Sequence, residues 1–148
     1  AALAGARTTT SVDMSNTYLA WLRRNLSHNE LDERSNTLIR ANCLEWLERA
    51  SASYDLILLD PPSFSNSSSM EESFDVQRDH PGLVRAAMKV LREDGRLYFS
   101  NNRRGFKLDP QLIAEYRCED ISRKTFDPDF QRNQNIHCCW HIQHRAED

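Results

Sequence analysis

The apolar-rich run Tyr54-Asp55-Leu56-Ile57-Leu58-Leu59 leads straight into Asp60-Pro61-Pro62-Ser63-Phe64-Ser65, and that junction limits what this chain can fold into. A short apolar run reads as a buried parallel strand, and open α/β sheets hold their ligands just beyond the carboxyl ends of such strands. Two consecutive prolines remove two N–H donors and fix φ, so the strand must stop and the turn behind it is stiff. A carboxylate, Asp60, and an aromatic ring, Phe64, are therefore held at the edge of a sheet.

The rest of the chain reads as alternating elements. The first residues resemble a helix tail stopped at Gly5. Residues 8–12 are β-branched and predict a strand closed by Asp13. Ser15 is placed to cap a helix reaching about Asn29, with Leu19, Leu22 and Leu26 at helical spacing. Residues 37–41 predict a second strand, and Leu44, Leu47 and Ala50 a short helix after it. A serine-rich loop at 63–69 follows the strand at 54–59. A long helix is predicted over 75–92, kinked or restarted at Pro81. Asp94-Gly95 reads as a turn before a strand at 96–100, and Asp109-Pro110 as a cap with proline at the first helical position. Two strand-like runs, 119–126 and 135–143, close the chain, joined by a polar loop.

Strand and helix in alternation predict a doubly wound α/β sheet, and the two late strands an antiparallel hairpin at its end. At 148 residues the whole chain, 1–148, is read as one domain. An unbroken alternation starts with a strand, whereas this chain starts in a helix, so the expectation is a fragment whose first strand and loop lie upstream.

Charge and cysteine content narrow the class. A net charge of -3 argues against a general nucleic-acid-coating protein, but leaves room for a local basic rim at Arg103, Arg104 and Lys107. Four cysteines without CxxC spacing suit reduced thiols in a cytoplasmic protein. No apolar stretch approaches the ~20 residues that span a bilayer, so no membrane partner is expected. His137, Cys139 and His141 alternate on one strand face, but structural zinc takes four ligands from separate elements, so no metal is expected.

Asp13, the DPPSFS turn and Phe99-Ser100-Asn101-Asn102-Arg103-Arg104-Gly105-Phe106-Lys107 together resemble the C-terminal methyltransferase domain of the RlmK/L family, bacterial 23S rRNA guanine methyltransferases. Further matching segments are residues 5–15, Asp75-Val76-Gln77-Arg78-Asp79-His80 and Ile136-His137-Cys138-Cys139-Trp140. The resemblance implies a Rossmann-like class I methyltransferase fold. It also implies S-adenosylmethionine as cofactor, and 23S rRNA or its precursor together with the rest of a parent chain as partners. The reaction it implies is methylation of guanine at N7. The family carries a glycine-bearing strand-loop ahead of the position of Ala1, so the 148 residues alone are expected to bind cofactor poorly and to be inactive.

Within that resemblance Asp13, at a strand end, suits the ribose hydroxyls of the cofactor, and Met14 suits the adenine face and the core equally. Asn42 stands where the family usually has an Asp that accepts from the adenine amino group, and Cys43 offers a backbone N–H. Asp60, Pro61, Pro62 and Phe64 form the catalytic turn, Asp60 facing both the transferred methyl and the target base. Phe64 suits stacking on a splayed base, and Ser63 replaces the cysteine that pyrimidine-carbon methylases need. Asn101 and Asn102 suit a guanine edge or a plain turn of the chain, and Arg103, Arg104 and Lys107 suit phosphates. Arg78, Asp79 and His80 read equally as cleft lining or as a helix-start salt bridge. Two alternatives remain open: methylation of another RNA base, at an exocyclic amine or a pyrimidine carbon, and a non-catalytic RNA-binding module.

Overall fold

The computed structural model describes residues 1–65, 73–126 and 136–146. The chain forms two compact units, Ala1–Ala50 and Ser51–Asp148.

In the first unit a 3-10 turn, Ala2–Ala4, ends at Gly5 and leads to β1 (Thr9–Asp13), α1 (Asn16–His28), β2 (Asn36–Arg40) and α2 (Cys43–Arg49). β1 and β2 pair in parallel from Thr9 opposite Asn36 to Asp13 opposite Arg40. Ser15 caps α1, its Oγ accepting from the Tyr18 N–H at 3.3 Å, which satisfies one of the four amides that a helix start leaves open. Leu19 and Leu26, seven residues apart, are buried on one side of α1.

The second unit runs β3 (Tyr54–Leu59), β4 (Phe64–Ser65), β5 (Phe74–Asp75), α3 (Val76–Lys89), β6 (Leu91–Asn101), α4 (Pro110–Glu115), β7 (Arg117–Asp120) and β8 (Cys138–Gln143). Its main sheet has the order β3-β6-β8-β7: β3 lies parallel to β6, and β8 inserts antiparallel between β6 and β7. The core sits under α3, where Val76, Val84 and Met88 are buried along with Leu97, Phe99, Leu112 and Ile142. The α/β alternation and the antiparallel C-terminal hairpin are thus both present.

Several boundaries differ from the sequence reading. Helix α3 stops at Lys89, because Leu91 already pairs with Tyr54 as the first residue of β6. The expected Asp94-Gly95 turn is absorbed into β6 as an irregularity: Asp55 alone on β3 faces residues 92–95 before pairing resumes at Leu56 and Arg96. Glycine is required at 95, where a Cβ would lie 2.8 Å from the Leu91 side chain and 2.9 Å from the Arg92 carbonyl. Pro81 does not interrupt α3, which runs through it. The run expected at 119–126 is a strand only over Arg117–Asp120, followed by a 3-10 turn at Ser122–Lys124. In the serine-rich segment, Phe64–Ser65 pair antiparallel with Phe74–Asp75, while 66–72 and the polar loop at 127–135 lie outside the described residues.

β3 is buried on one side only. Leu59 is buried, whereas Leu56 and Leu58 point to the other face and are 46% and 70% exposed. A continuous apolar run predicts burial on both faces, and within this unit only one face is covered. Among the described residues β3 pairs only with β6, and β1 only with β2.

Truncating Phe99, which is fully buried, to Ala should cost about 3–5 kcal/mol in urea unfolding, whereas Leu58→Ser should stay within about 0.5 kcal/mol. A large loss at Leu58 would show that its face is covered in solution.

Candidate functional site

In the first unit the candidate residues gather at the carboxyl ends of β1 and β2. Asp13 Oδ1 accepts from the Ser15 N–H at 2.7 Å, and the Asp13 carbonyl accepts from the Ala41 N–H. One carboxylate oxygen is thereby fixed and the side chain is oriented beyond the strand end. Met14 follows, 38% exposed, its carbonyl accepting from Arg40 Nε. Asn42 is the N-cap of α2, its Oδ1 accepting from the Leu44 and Glu45 N–H groups. That corrects the expectation of an acceptor for adenine: the oxygen serves the helix, and the remaining amide NH2 is a donor. Cys43 opens α2, its thiol held toward the neutral form by burial and by the nearby Asp13 charge.

In the second unit two strand ends lie side by side. Asp60 leaves β3 and Ser100 sits near the end of the adjacent β6, and the Ser100 hydroxyl donates to Asp60 Oδ1 at 2.8 Å. Asp60 is exposed, as is Phe64, at 56%. The turn between them is pinned where the Ser63 carbonyl accepts from the Val76 N–H and where β4 pairs with β5. Asp60, Ser63 and Phe64 thus stand on a ledge braced by α3 and β5.

Beyond β6 the predicted basic segment divides. Asn101 is fully buried rather than presented to a substrate: Oδ1 accepts from the Arg103 N–H at 3.0 Å, while its amide nitrogen has no hydrogen-bond partner. It is the last β6 residue on the buried side of the sheet, which explains the departure from the expected base-reading role. Arg103, expected at a phosphate, instead grips Asp75, its Nη1 lying 2.6 Å from both carboxylate oxygens. The Arg103 guanidinium is the largest cause holding the Asp75 carboxyl below the usual range. Asn102, Arg104 and Lys107 are exposed, and among the described residues neither Arg104 nor Lys107 forms an ion pair. Gly105 takes φ +72°, a left-handed turn that a side chain would strain, between these two cations.

The segment Asp75 to His80 braces this loop. Asp75 caps α3 by accepting from the Gln77 and Arg78 N–H groups, and Asp79 reaches back to the Asp75 N–H at 2.8 Å. Arg78 donates to Asp79 and to the Ser73 carbonyl, and this pairing is the main reason the Asp79 carboxyl is held low. His80 is 1% exposed. Pro81 has no N–H, so the Gln77 carbonyl lacks its helical donor. His80 Nδ1 lies 2.8 Å from the Val76 carbonyl and 3.1 Å from that of Gln77, and so carries the proton. Nε2 is then free to accept from the Asp109 N–H at 3.0 Å. The sequence reading left Arg78, Asp79 and His80 between cleft and salt bridge and gave Asp75 and Gln77 no role. The spacing of Asp75 to Asp79 and the proline after His80 were the available signals.

Every cysteine thiol is held toward the neutral form, chiefly by burial, and Cys138 is pushed up to about 11. None is a ready nucleophile. His141 stacks on Tyr98 at 5.1 Å, and His137 contacts Thr125. Among the described residues no group of three His, Cys, Asp or Glu side chains could hold a metal ion, and no helix is long and apolar enough to cross a membrane.

A family model described as Conserved hypothetical protein 95 matches residues 1–120. The chain is 56% identical over 144 residues to the ribosomal RNA large subunit methyltransferase K/L of Cellvibrio japonicus (strain Ueda107), covering 97% of this chain and 19% of that protein. It therefore spans about a fifth of that relative's length. Among solved structures, a SAM-dependent methyltransferase from Agrobacterium tumefaciens superposes with TM-score 0.69 at 16% identity, over 98% of this chain and 51% of that one. An rRNA methylase from Streptococcus thermophilus superposes with TM-score 0.60 at 9% identity, over 94% and 74%. At these identities the likeness shows the fold, a Rossmann-like α/β methyltransferase fold.

Burial, the largest cause, holds the folded pKa of His80 below its ordinary 6.5. The folded state then binds fewer protons than the unfolded one, so this contribution to stability is complete above pH 6.5 and is lost as pH falls below it. The melting temperature should drop between pH 7 and pH 5, and should drop less in His80→Gln, which keeps an acceptor near the Nε2 position. Equal drops in both proteins would remove His80 as the cause.

Proposed function

Since the chain belongs to the family described as Conserved hypothetical protein 95, we propose that it is an S-adenosylmethionine-dependent RNA methyltransferase domain that methylates guanine N7 in 23S rRNA. The observation that carries the reading is the braced ledge of the second unit. There a carboxylate, an exposed aromatic ring and two cations that form no ion pair among the described residues stand on loops that follow adjacent strands. The 56% identity to a ribosomal RNA large subunit methyltransferase supports the substrate class.

The residues of the first unit fit the nucleoside end of the cofactor. Asp13 retains a carboxylate oxygen beyond the one bound to Ser15, the chemistry that ribose hydroxyl donors need, and Met14 offers an apolar surface to adenine. The cofactor supplies an electrophilic methyl group on a sulfonium centre. The protein's share is to hold the acceptor in line with that methyl and to exclude water.

Guanine N7 has a lone pair and no proton, so no general base is required and positioning carries the acceleration. Phe64 stacks on the splayed base, and Asp60, held by Ser100, fixes its orientation. Asn102, Arg104 and Lys107 take the flanking strand. Methylation of a pyrimidine carbon would need a thiolate nucleophile. Ser63 occupies the turn, and burial keeps the chain's thiols protonated, which argues against that chemistry.

Incubation of the chain, joined to the rest of the parent chain that the resemblance implies, with S-adenosylmethionine and unmodified 23S rRNA, then borohydride and aniline treatment, should cleave the RNA at a single site, because 7-methylguanosine opens to mild reduction. Asp60→Ala should lower the rate roughly 100-fold through lost orientation. Phe64→Ala should raise the RNA KM roughly 5- to 150-fold, the equivalent of about 1–3 kcal/mol of stacking. Methyl incorporation without cleavage would move the reaction to an exocyclic amine. RNA binding without incorporation would favour a non-catalytic module.

A further inference from the structure

The loop from Asn102 to Leu108 carries Arg104 and Lys107, which form no ion pair among the described residues, yet its own backbone contributes little to its shape beyond a Phe106 N–H to Arg103 carbonyl bond at 3.3 Å. Its conformation is imposed from α3. The Gln77 amide closes a two-bond ring on the backbone of Lys107: Nε2 donates to the Lys107 carbonyl at 2.8 Å, and the Lys107 N–H donates to Oε1 at 2.9 Å. One helical turn later His80 accepts the Asp109 N–H, and at the helix start Asp75 holds Arg103. Of these three contacts, the one from Gln77 is to the backbone of a residue whose own cation forms no ion pair among the described residues.

We infer that Gln77 is a positioning residue for RNA, acting through Lys107: its side-chain amide fixes the loop so that Lys107 and Arg104 stand ready for neighbouring phosphates. This rests on the RNA-methyltransferase reading. A loop fixed in advance loses less conformational freedom when phosphates bind, so the effect belongs to RNA affinity and not to the chemical step. A glutamine side chain can donate and accept at once. Glutamate keeps only the acceptor half and sets a carboxylate oxygen against the Lys107 carbonyl.

The test measures binding of an unmodified 23S rRNA transcript to the intact protein at several salt concentrations, with steady-state methyl transfer alongside. Gln77→Ala should raise the RNA Kd roughly 5- to 20-fold and reduce the salt slope by about 1, as the loss of a positioned phosphate contact predicts. S-adenosylmethionine affinity and kcat at saturating RNA should stay within about twofold of wild type. Gln77→Glu should act in the same direction and covers the case in which the alanine variant folds poorly. Because Gln77 acts in part through Lys107, the Gln77→Ala and Lys107→Ala losses should be clearly less than additive in the double variant, the remainder being the effect on Arg104. A lower melting temperature with RNA Kd and salt slope unchanged would overturn the inference and leave Gln77 a folding residue. So would fully additive effects in the double variant. If the wild-type protein neither binds nor methylates the RNA, the functional reading falls first and this inference with it. If wild type is active and the Gln77 variants match it, this inference alone falls.

Discussion

One buried imidazole fixes the geometry on which the second unit depends. His80 is 1% exposed and lies against Phe99 and Phe106, with ring centroids at 6.0 and 4.8 Å. A polar ring in such a place is tolerable only if both nitrogens are satisfied. They are, in one tautomer. The proton on Nδ1 meets carbonyls of the helix's own first turn, one of which Pro81 leaves without a backbone donor, and the lone pair on Nε2 meets the Asp109 amide. Asp109 is in turn the N-cap of α4, its side chain accepting from the Gln111 N–H. A proline that looks like a helix breaker thus creates the need that orients the histidine, and the histidine joins α3 to the start of α4.

That arrangement sorts the basic residues into two kinds. Arg78 and Arg103 are struts, spent on Asp79 and Asp75, and neither carboxylate is deeply buried. Pairs so exposed contribute modestly to stability, and their value lies in fixing direction. Arg104 and Lys107, on either side of the left-handed Gly105, form no ion pair among the described residues. A chain of net charge -3 can in this way still present a local cationic edge.

The element order, the DPPSFS turn at a strand end and the antiparallel finish could be read from the sequence because each has a local cause: apolar runs, proline chemistry, alternation. The caps at Ser15 and Asp109 were equally local. What escaped the sequence depends on distant partners. Nothing near Arg103 shows that Asp75, 28 positions earlier, takes its charge, and nothing near Asn101 shows that it ends β6 on the buried side of the sheet. Asn42 looked like a ligand acceptor at a strand end, yet asparagine is also a preferred N-cap, and here the cap took the oxygen. The Asp94-Gly95 pair has every property of a turn, and only the pairing of Leu91 with Tyr54 makes it part of a strand.

The chemistry asked of such a site also explains what its residues do not include. A reaction at a proton-bearing nitrogen or at a ring carbon needs a base or a nucleophile of tuned pKa, and titratable groups with opposed shifts would mark the site. Around the ledge the shifted groups are those of the struts, Asp75 and Asp79 lowered by their arginines and His80 lowered by burial. His80 has neither nitrogen free, and the cysteines are held protonated. The remaining chemical assets are an oriented carboxylate, an exposed aromatic ring and, on braced loops, cations without ion pairs among the described residues. In the proposed reaction these groups would hold and aim a flat, electron-rich acceptor beside a phosphate backbone. An acceptor that already carries its lone pair, such as guanine N7, is the kind for which holding and aiming suffice.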